Sequence, residues 1–293
     1  MVAYLRPETL AEALALRASR DLVVLGGGTD VYPAKAARVG WGDMQHKDVL
    51  DIGGLEGLSG ISEEPTHWRL GALATWTDLI EAALPPMFGG YQAAAREIGG
   101  VQIQNCGTLV GNICTASPAG DGAPNLLALE ASVELASLAG TRRLTLEAFI
   151  DGYRHTACRD DEIVTAILVP KRGAGARGHF RKLGARKYLV ISIVMVAGVI
   201  EADAAGTLTH VRLAVGSCSA VPQRLRALEA ALTGEPLAAA AGLARPEHLA
   251  HLTPIDDIRG SATYRRAAAL ALVRDLLAEL AGVSLAKRWP DAR

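Results

Sequence analysis

Short apolar runs and helical spacings alternate along the first half of the chain. Tyr4 to Leu5 is extended, and after Pro7, which suits a first helical turn, Leu10, Ala13, Leu14 and Leu16 fall near helical spacing. Leu22 to Leu25 reads as a compact buried strand running into Gly26-Gly27-Gly28-Thr29-Asp30, with a helix over Val31 to Arg38 beyond it. Val49 to Ile52 and Trp68 to Leu70 predict further strands, and Thr77-Asp78-Leu79-Ile80 predicts a helix start. Tyr91 to Ile98 predicts a helix closed by Gly99-Gly100, because glycine takes the left-handed conformation that ends helices. From Val101 to Asn125 the periodicity gives way to Gln, Asn, Thr, Gly, Ser, Asp and Pro, which predicts a long polar loop. Ala131 to Ser137 then alternates, Gly140 turns the chain and Arg142 to Leu146 returns, a hairpin pattern; Ile163 to Val169 is a last strand in this half.

The stretch Lys171 to Gly178 (KRGAGARG) marks a boundary, and the pattern changes after it. Leu189 to Ile200 predicts a buried strand, paired antiparallel with Leu208 to Val215 through the turn residues Asp203 to Gly206. Gln223 to Leu232 reads as a short helix stopped by Gly234, and Ala262 to Leu280 as a long one with Leu270, Leu272, Val273, Leu276 and Leu277 along an apolar stripe. The expectation is an α+β chain with one domain over residues 1–174, split near residue 55 into two subdomains, and a second over 175–293.

Composition narrows the function classes. At 293 residues, 50% hydrophobic and 21% charged, the chain has the make-up of a folded protein with a sizeable core. Thirty Lys and Arg against thirty-one Asp and Glu leave a net charge of -1, so there is no basic footprint for nucleic acid or anionic membrane. The apolar run from Leu189 is too short for a membrane span, and Arg6, Pro7 and Glu8 interrupt any signal-peptide core, which predicts a cytoplasmic protein. Cys106, Cys114, Cys158 and Cys218 are dispersed without a C-x-x-C pair, which fits a reducing compartment and offers no cluster of metal ligands.

Two loops carry candidate chemistry. Gly26-Gly27-Gly28-Thr29-Asp30 follows a strand, and bare glycine backbone lets several N–H groups converge on an anion. It is neither a Rossmann fingerprint, since Val31 stands at the sixth place, nor a P-loop, which needs Gly-Lys-Ser/Thr. A tight strand-to-helix turn accounts for it equally well. The second loop, Gly107 to Asp121, gathers glycines, hydroxyls, an amide and a carboxylate; its hydroxyls and N–H groups suit diphosphate oxygens, and Asp121, acceptor-only when ionised, suits sugar hydroxyls.

The order LGGGTD, then IGGVQIQNCGTLVGNICTASPAGD, then EIVTAILVP resembles the FAD-binding subunits of the molybdenum hydroxylases, the xanthine dehydrogenase and carbon monoxide dehydrogenase family. RKLGARKYLVISIV and LAVGSCSAVPQRLRALEAAL resemble that family's flavoprotein C-terminal domain, so the likeness covers nearly the whole chain. The resemblance implies a two-part FAD-binding domain of the vanillyl-oxidase type followed by a small α+β domain. It places Gly26, Gly27, Gly28, Thr29 and Asp30, led by Leu25, on the family's pyrophosphate loop. It places Thr108, Gly111, Asn112 and Thr115 near the diphosphate, Asp121 near sugar hydroxyls, Ile163 and Val164 on the strand against the flavin, and Lys182 beside the isoalloxazine ring. The cysteine-rich insertion of the hydroxybenzoyl-CoA reductase branch is missing, and AVGSCSAVPQRL favours xanthine dehydrogenase-like company.

No acid–base pair or nucleophile elbow competes with this reading: Ser217 and Ser219 lack a G-x-S-x-G frame, and His248 and His251 lack a third metal ligand. Cys106 and Cys114 read as ordinary small hydrophobes. Arg181, Lys182, Arg186 and Lys187 are either a docking or cofactor-attracting surface or a solvated edge. In function, the resemblance implies an electron-transfer flavoprotein subunit. It would take electrons from a partner with two [2Fe-2S] clusters, beside a molybdenum-cofactor large subunit, and pass them to an acceptor such as NAD. The alternative is a self-contained flavin oxidase or reductase of the same fold.

Overall fold

The computed structural model of the chain describes residues 3–33 and 47–282. These divide into two units: one draws on the chain up to Ala82, on Ala95–Ser117 and on Glu130–Lys171, the other on Ala83–Ala94, Pro118–Leu129 and the chain from Arg172 onward.

In the first unit β1 (Tyr4–Leu5), β2 (Leu22–Leu25) and β3 (Asp48–Asp51) form a parallel sheet in the order β1-β3-β2. Parallel strands of one sheet need a crossover, and the Leu10–Ser19 helix connects β1 to β2, which lies on the far side of β3. Thr9 caps it by accepting the Glu12 amide, and Ala13 and Leu14 form its buried side. Arg17, in its last turn, donates to Leu22 O at 2.6 Å and to Glu162 O. The helix predicted from Val31 begins with a turn at 31–33, and the remainder lies outside the described residues.

A second, antiparallel sheet is built from β4 (Ile61–Glu63), β5 (His67–Gly71), β6 (Ser132–Ser137) and β7 (Gly140–Thr145). A short pair, β8 (Ile150–Gly152) and β9 (His155–Thr156), follows. The strand β10 (Ile163–Pro170) enters between β5 and β6, giving the order β4-β5-β10-β6-β7. Being central, β10 is buried from Ile163 to Val169, which explains a sequence apolar throughout that run but for Thr165. Arg142 on β7 grips Glu162 with two hydrogen bonds, 2.5 and 2.8 Å, at the foot of β10.

The expected loop from Val101 to Asn125 is instead three short helices, Val101–Cys106, Leu109–Thr115 and Gly122–Ala128. Its glycines and hydroxyls act as helix punctuation. Gly99 takes φ +54°, Gly100 precedes the first helix, and Thr108 caps the second by accepting the Gly111 amide at 3.0 Å.

The second unit centres on an antiparallel sheet, β11 (Arg177–Leu183), β12 (Val194–Ala202), β13 (Leu208–Gly216) and β14 (Gln223–Arg224), in chain order. The Ala262–Leu280 helix packs on β11 and β12, close enough that a Cβ on Gly198 would meet Leu276 at 2.8 Å. The predicted β12–β13 pair is present, but β12 starts at Val194 and residues 189–193 lie before it, with Leu189 and Ile191 exposed. The predicted helix after Gln223 begins at Arg226, the two residues Gln223 and Arg224 forming β14. As an edge strand β11 carries Arg177, Arg181 and Lys182, a polar pattern that hid it in the sequence. Among the described residues no helix is long and apolar enough to cross a membrane.

Candidate functional site

The two glycine loops meet in the first unit. β2 ends at buried Leu25, and the chain turns so that Gly27 lies against the backbone of the second loop. A Cβ on Gly27 would fall 1.8 Å from the Cys106 carbonyl oxygen, so no side chain fits there. Gly28 takes φ +74°, the left-handed conformation that glycine adopts without strain. Thr115 Oγ donates to Asp30 Oδ2 at 2.8 Å and to Gly111 O at 3.0 Å, fastening the end of the first loop to the helix of the second.

Between the loops lies a cleft of about 380 Å³ lined by Gly26 to Asp30 together with Thr108, Gly111, Asn112 and Thr115. Among the described residues, no backbone carbonyl accepts the amides of Gly26, Gly27, Gly28, Thr29 or Asp30. The Asn112 side-chain oxygen is buried on the same wall with no hydrogen-bond partner. Unpaired polar groups converging on one cavity mark a place where a polar ligand completes the bonding. Trp76, Ile98 and Ile103 add an apolar wall that the sequence analysis did not single out.

A second cleft of about 310 Å³ shares Gly26, Thr108 and Gly111 with the first and continues past Ile52, Ala72, Ile163 and Val164. Its charged residues are already engaged, Arg17 with backbone carbonyls and Glu162 with Arg142, which leaves mainly apolar surface for a flat ring. Cys114, an exposed thiol, opens onto both clefts.

Asp121 and Lys182, both assigned to the cofactor by resemblance, do not line either cleft. They belong to the second unit and pair with each other, Lys182 Nζ to Asp121 Oδ2 at 2.5 Å, with 5% and 6% of the side chains exposed. Ser192 donates to the other carboxylate oxygen at 2.6 Å. Burial pushes the Asp121 carboxyl up, against the pull of Lys182 and Ser192. Each oxygen of Asp121 thus has a protein partner, a pairing that no local sequence signal gives away.

His248 and His251 part company: His248 accepts the Arg245 amide, and His251 Nε2 meets Arg224 O at 3.1 Å. No group of three or more His, Cys, Asp or Glu suited to a metal occurs among the described residues.

The donor set fits FAD. A cradle too tight for a Cβ, amides without carbonyl partners and an orphaned Asn112 oxygen suit a diphosphate and its sugar neighbours, while the apolar second cleft suits a planar ring. Residues 1–172 match the family described as the FAD binding domain in molybdopterin dehydrogenase, and residues 179–280 match the CO dehydrogenase flavoprotein C-terminal domain. The chain is 33% identical to the nicotinate dehydrogenase FAD-subunit of Eubacterium barkeri over 80% of each chain. It is 30% identical to the nicotine 6-hydroxylase medium subunit of Paenarthrobacter nicotinovorans over 95% of this chain and 96% of that one. A solved carbon monoxide dehydrogenase from Hydrogenophaga pseudoflava superposes with a TM-score of 0.86 at 28% identity, covering 96% of this chain and 98% of its counterpart. With both domain matches in sequence order and relatives aligned over 80% or more of their length, the chain belongs to the molybdenum hydroxylases of the xanthine dehydrogenase and carbon monoxide dehydrogenase type, as an FAD-binding medium subunit of an oxidoreductase.

Proposed function

We propose that this subunit is the outlet of its complex. Electrons released when a molybdenum-cofactor large subunit oxidises the substrate would pass through the [2Fe-2S] clusters of a small subunit to this chain, and from it to an external acceptor such as NAD. Bound FAD would supply a centre that accepts electrons and releases them as a pair. The chain's own residues bind and orient: the amides of Gly26 to Asp30, with Thr108, Gly111, Asn112 and Thr115, hold the diphosphate, and Leu25 seats the first loop from below. Ile163 and Val164 offer an apolar wall to the ring system. Lys182, fixed by Asp121, is assigned to the isoalloxazine ring, and Asp121 to the cofactor's sugar side, on the resemblance of their motifs. The reading includes a vanillyl-oxidase type of FAD domain over residues 1–174, a C-terminal domain over 175–293, and a cytoplasmic complex.

The observation that carries the reading is the cleft where two glycine loops bring unpaired backbone amides together. Its test is native purification followed by a visible spectrum, mass identification of every co-purifying polypeptide, and anaerobic mixing of the reduced complex with NAD. FAD, a molybdenum subunit, an iron–sulfur subunit and NADH formation are expected. Flavin on a solitary chain that oxidises substrate by itself would replace this reading with the self-contained flavoenzyme.

A further inference from the structure

Arg17 brings a cation to the second cleft. It stands in the last turn of the Leu10–Ser19 helix and lines the part of that cleft that the first does not share. Its guanidinium reaches beyond its own helix: Nε donates to Glu162 O at 3.3 Å, just before β10, and Nη1 to Leu22 O at 2.6 Å, where β2 begins. These bonds fix the group in place without neutralising it, since both acceptors are backbone carbonyls. A guanidinium has five N–H donors, and the two bonds leave the others unspent. Among the described residues no carboxylate pairs with Arg17.

The other ionisable groups on these walls do not offset the charge. Glu162 gives both carboxylate oxygens to Arg142, and one of them also accepts the Arg159 amide. Cys114 and Cys158 are free thiols, and a thiol is mostly protonated at neutral pH. Burial, and then Glu162, push Cys158 further, to about 11, against the pull of Arg17 and Arg142. Ile52, Ala72, Val110, Ile163 and Val164 supply apolar surface. The cleft is thus a mainly apolar slot with one uncompensated guanidinium on its wall, and in such surroundings a fixed cation acts strongly on any charge that forms beside it.

An isoalloxazine ring has one hydrocarbon edge and one edge of carbonyls and ring nitrogens. Two electrons from the donor clusters and one proton from solvent turn the oxidised ring into an anion, its charge spread over N1 and the C2 carbonyl of the second edge. We propose that Arg17 recognises this carbonyl edge and stabilises the negative charge that reduction places there. Arg17 thereby makes the ring a better electron acceptor. The inference rests on the proposed function, in which the ring lies in this cleft and its electrons arrive from iron–sulfur clusters.

The test uses the FAD-loaded protein with its partners, in two variants. Arg17→Gln keeps a donor for the carbonyls and drops the charge, and Arg17→Lys keeps the charge. The midpoint potential of the flavin is read against a reference dye during titration with dithionite. In Arg17→Gln the balance between oxidised and reduced flavin should move at least tenfold toward the oxidised form, about 30 mV for a two-electron couple. Arg17→Lys should hold it within threefold of the wild type. FAD content should stay at the wild-type level in both, because the diphosphate loops are untouched. An unchanged potential in Arg17→Gln beside a lower melting temperature overturns the inference, since Arg17 then only ties its helix to β2 and β10. An equal fall in both variants overturns it as well, because charge would not be the cause. Neither result touches the proposed function, which fails instead if the wild-type protein carries flavin without any iron–sulfur subunit, and the potentials of the two variants still decide the role of Arg17 in that case.

Discussion

Gly27 has the least freedom of any residue in the candidate site. A methyl group there collides with the Cys106 carbonyl, so Gly27→Ala must push the two loops apart. Overpacking of this kind costs about 1–3 kcal/mol, and the displaced amides should cost flavin as well. The ratio of flavin to protein absorbance, read beside the melting temperature, should fall; an unchanged ratio would remove the first loop from the site. The Lys182–Asp121 pair behaves differently, because each partner compensates a charge that is almost wholly buried. Lys182→Met leaves the Asp121 carboxylate uncompensated, a loss of roughly 3–5 kcal/mol for a buried pair. Adding Asp121→Asn should restore part of it. A double-mutant cycle by chemical denaturation measures the recovery, and strict additivity would show that the two side chains act independently.

The central strand β10 depends on what grips its foot. Burial pushes the Glu162 carboxyl up, but the hydrogen bonds from Arg142 and the Arg159 amide outweigh it and hold the group below the usual carboxylate range. A carboxyl that titrates lower when folded than when unfolded contributes fully at neutral pH, and its contribution is lost as pH falls through the carboxylate range. Melting curves from neutral pH downward should therefore steepen in the wild type and flatten in Arg142→Met, and superposable acid limbs would count against the pair. The legible elements share a physical trait: β2, β10, β12, β13 and the Ala262–Leu280 helix bury one face or both, and burial writes itself into hydrophobic spacing. The edge strand β11 escaped because its charged residues find partners distant in sequence, Arg181 on Glu279 and Lys182 on Asp121, which no spacing reveals. The three helices between Val101 and Ala128 escaped because each is too short for a stripe and is delimited by residues that also compose turns. Within the site, the loop glycines and hydroxyls announce themselves through backbone chemistry. Trp76, Ile98 and Ile103 look like any core residue until the fold turns them toward the cleft.

At the scale of the whole molecule, ligand and stability are linked. A cofactor that binds only the folded chain stabilises it by about 2.7 kcal/mol at a hundredfold excess over Kd. The flavin-free protein should therefore melt several degrees lower, and titrating FAD should raise its Tm in proportion to the logarithm of concentration. A melting point indifferent to FAD would contradict the assigned cleft. The order of strands in the first unit also governs how the protein is made. β10 lies between β5 and β6, although it is the last of the three to be synthesised. Until residue 170 has left the ribosome, the edges of β5 and β6 that it will join stand open, and the second cleft lacks the wall formed by Ile163 and Val164. The nascent chain thus carries both glycine loops long before it can enclose a cofactor. Flavin loading therefore waits until the last strand of this sheet has emerged, and until then the open edges of β5 and β6 are what chaperones and proteases meet.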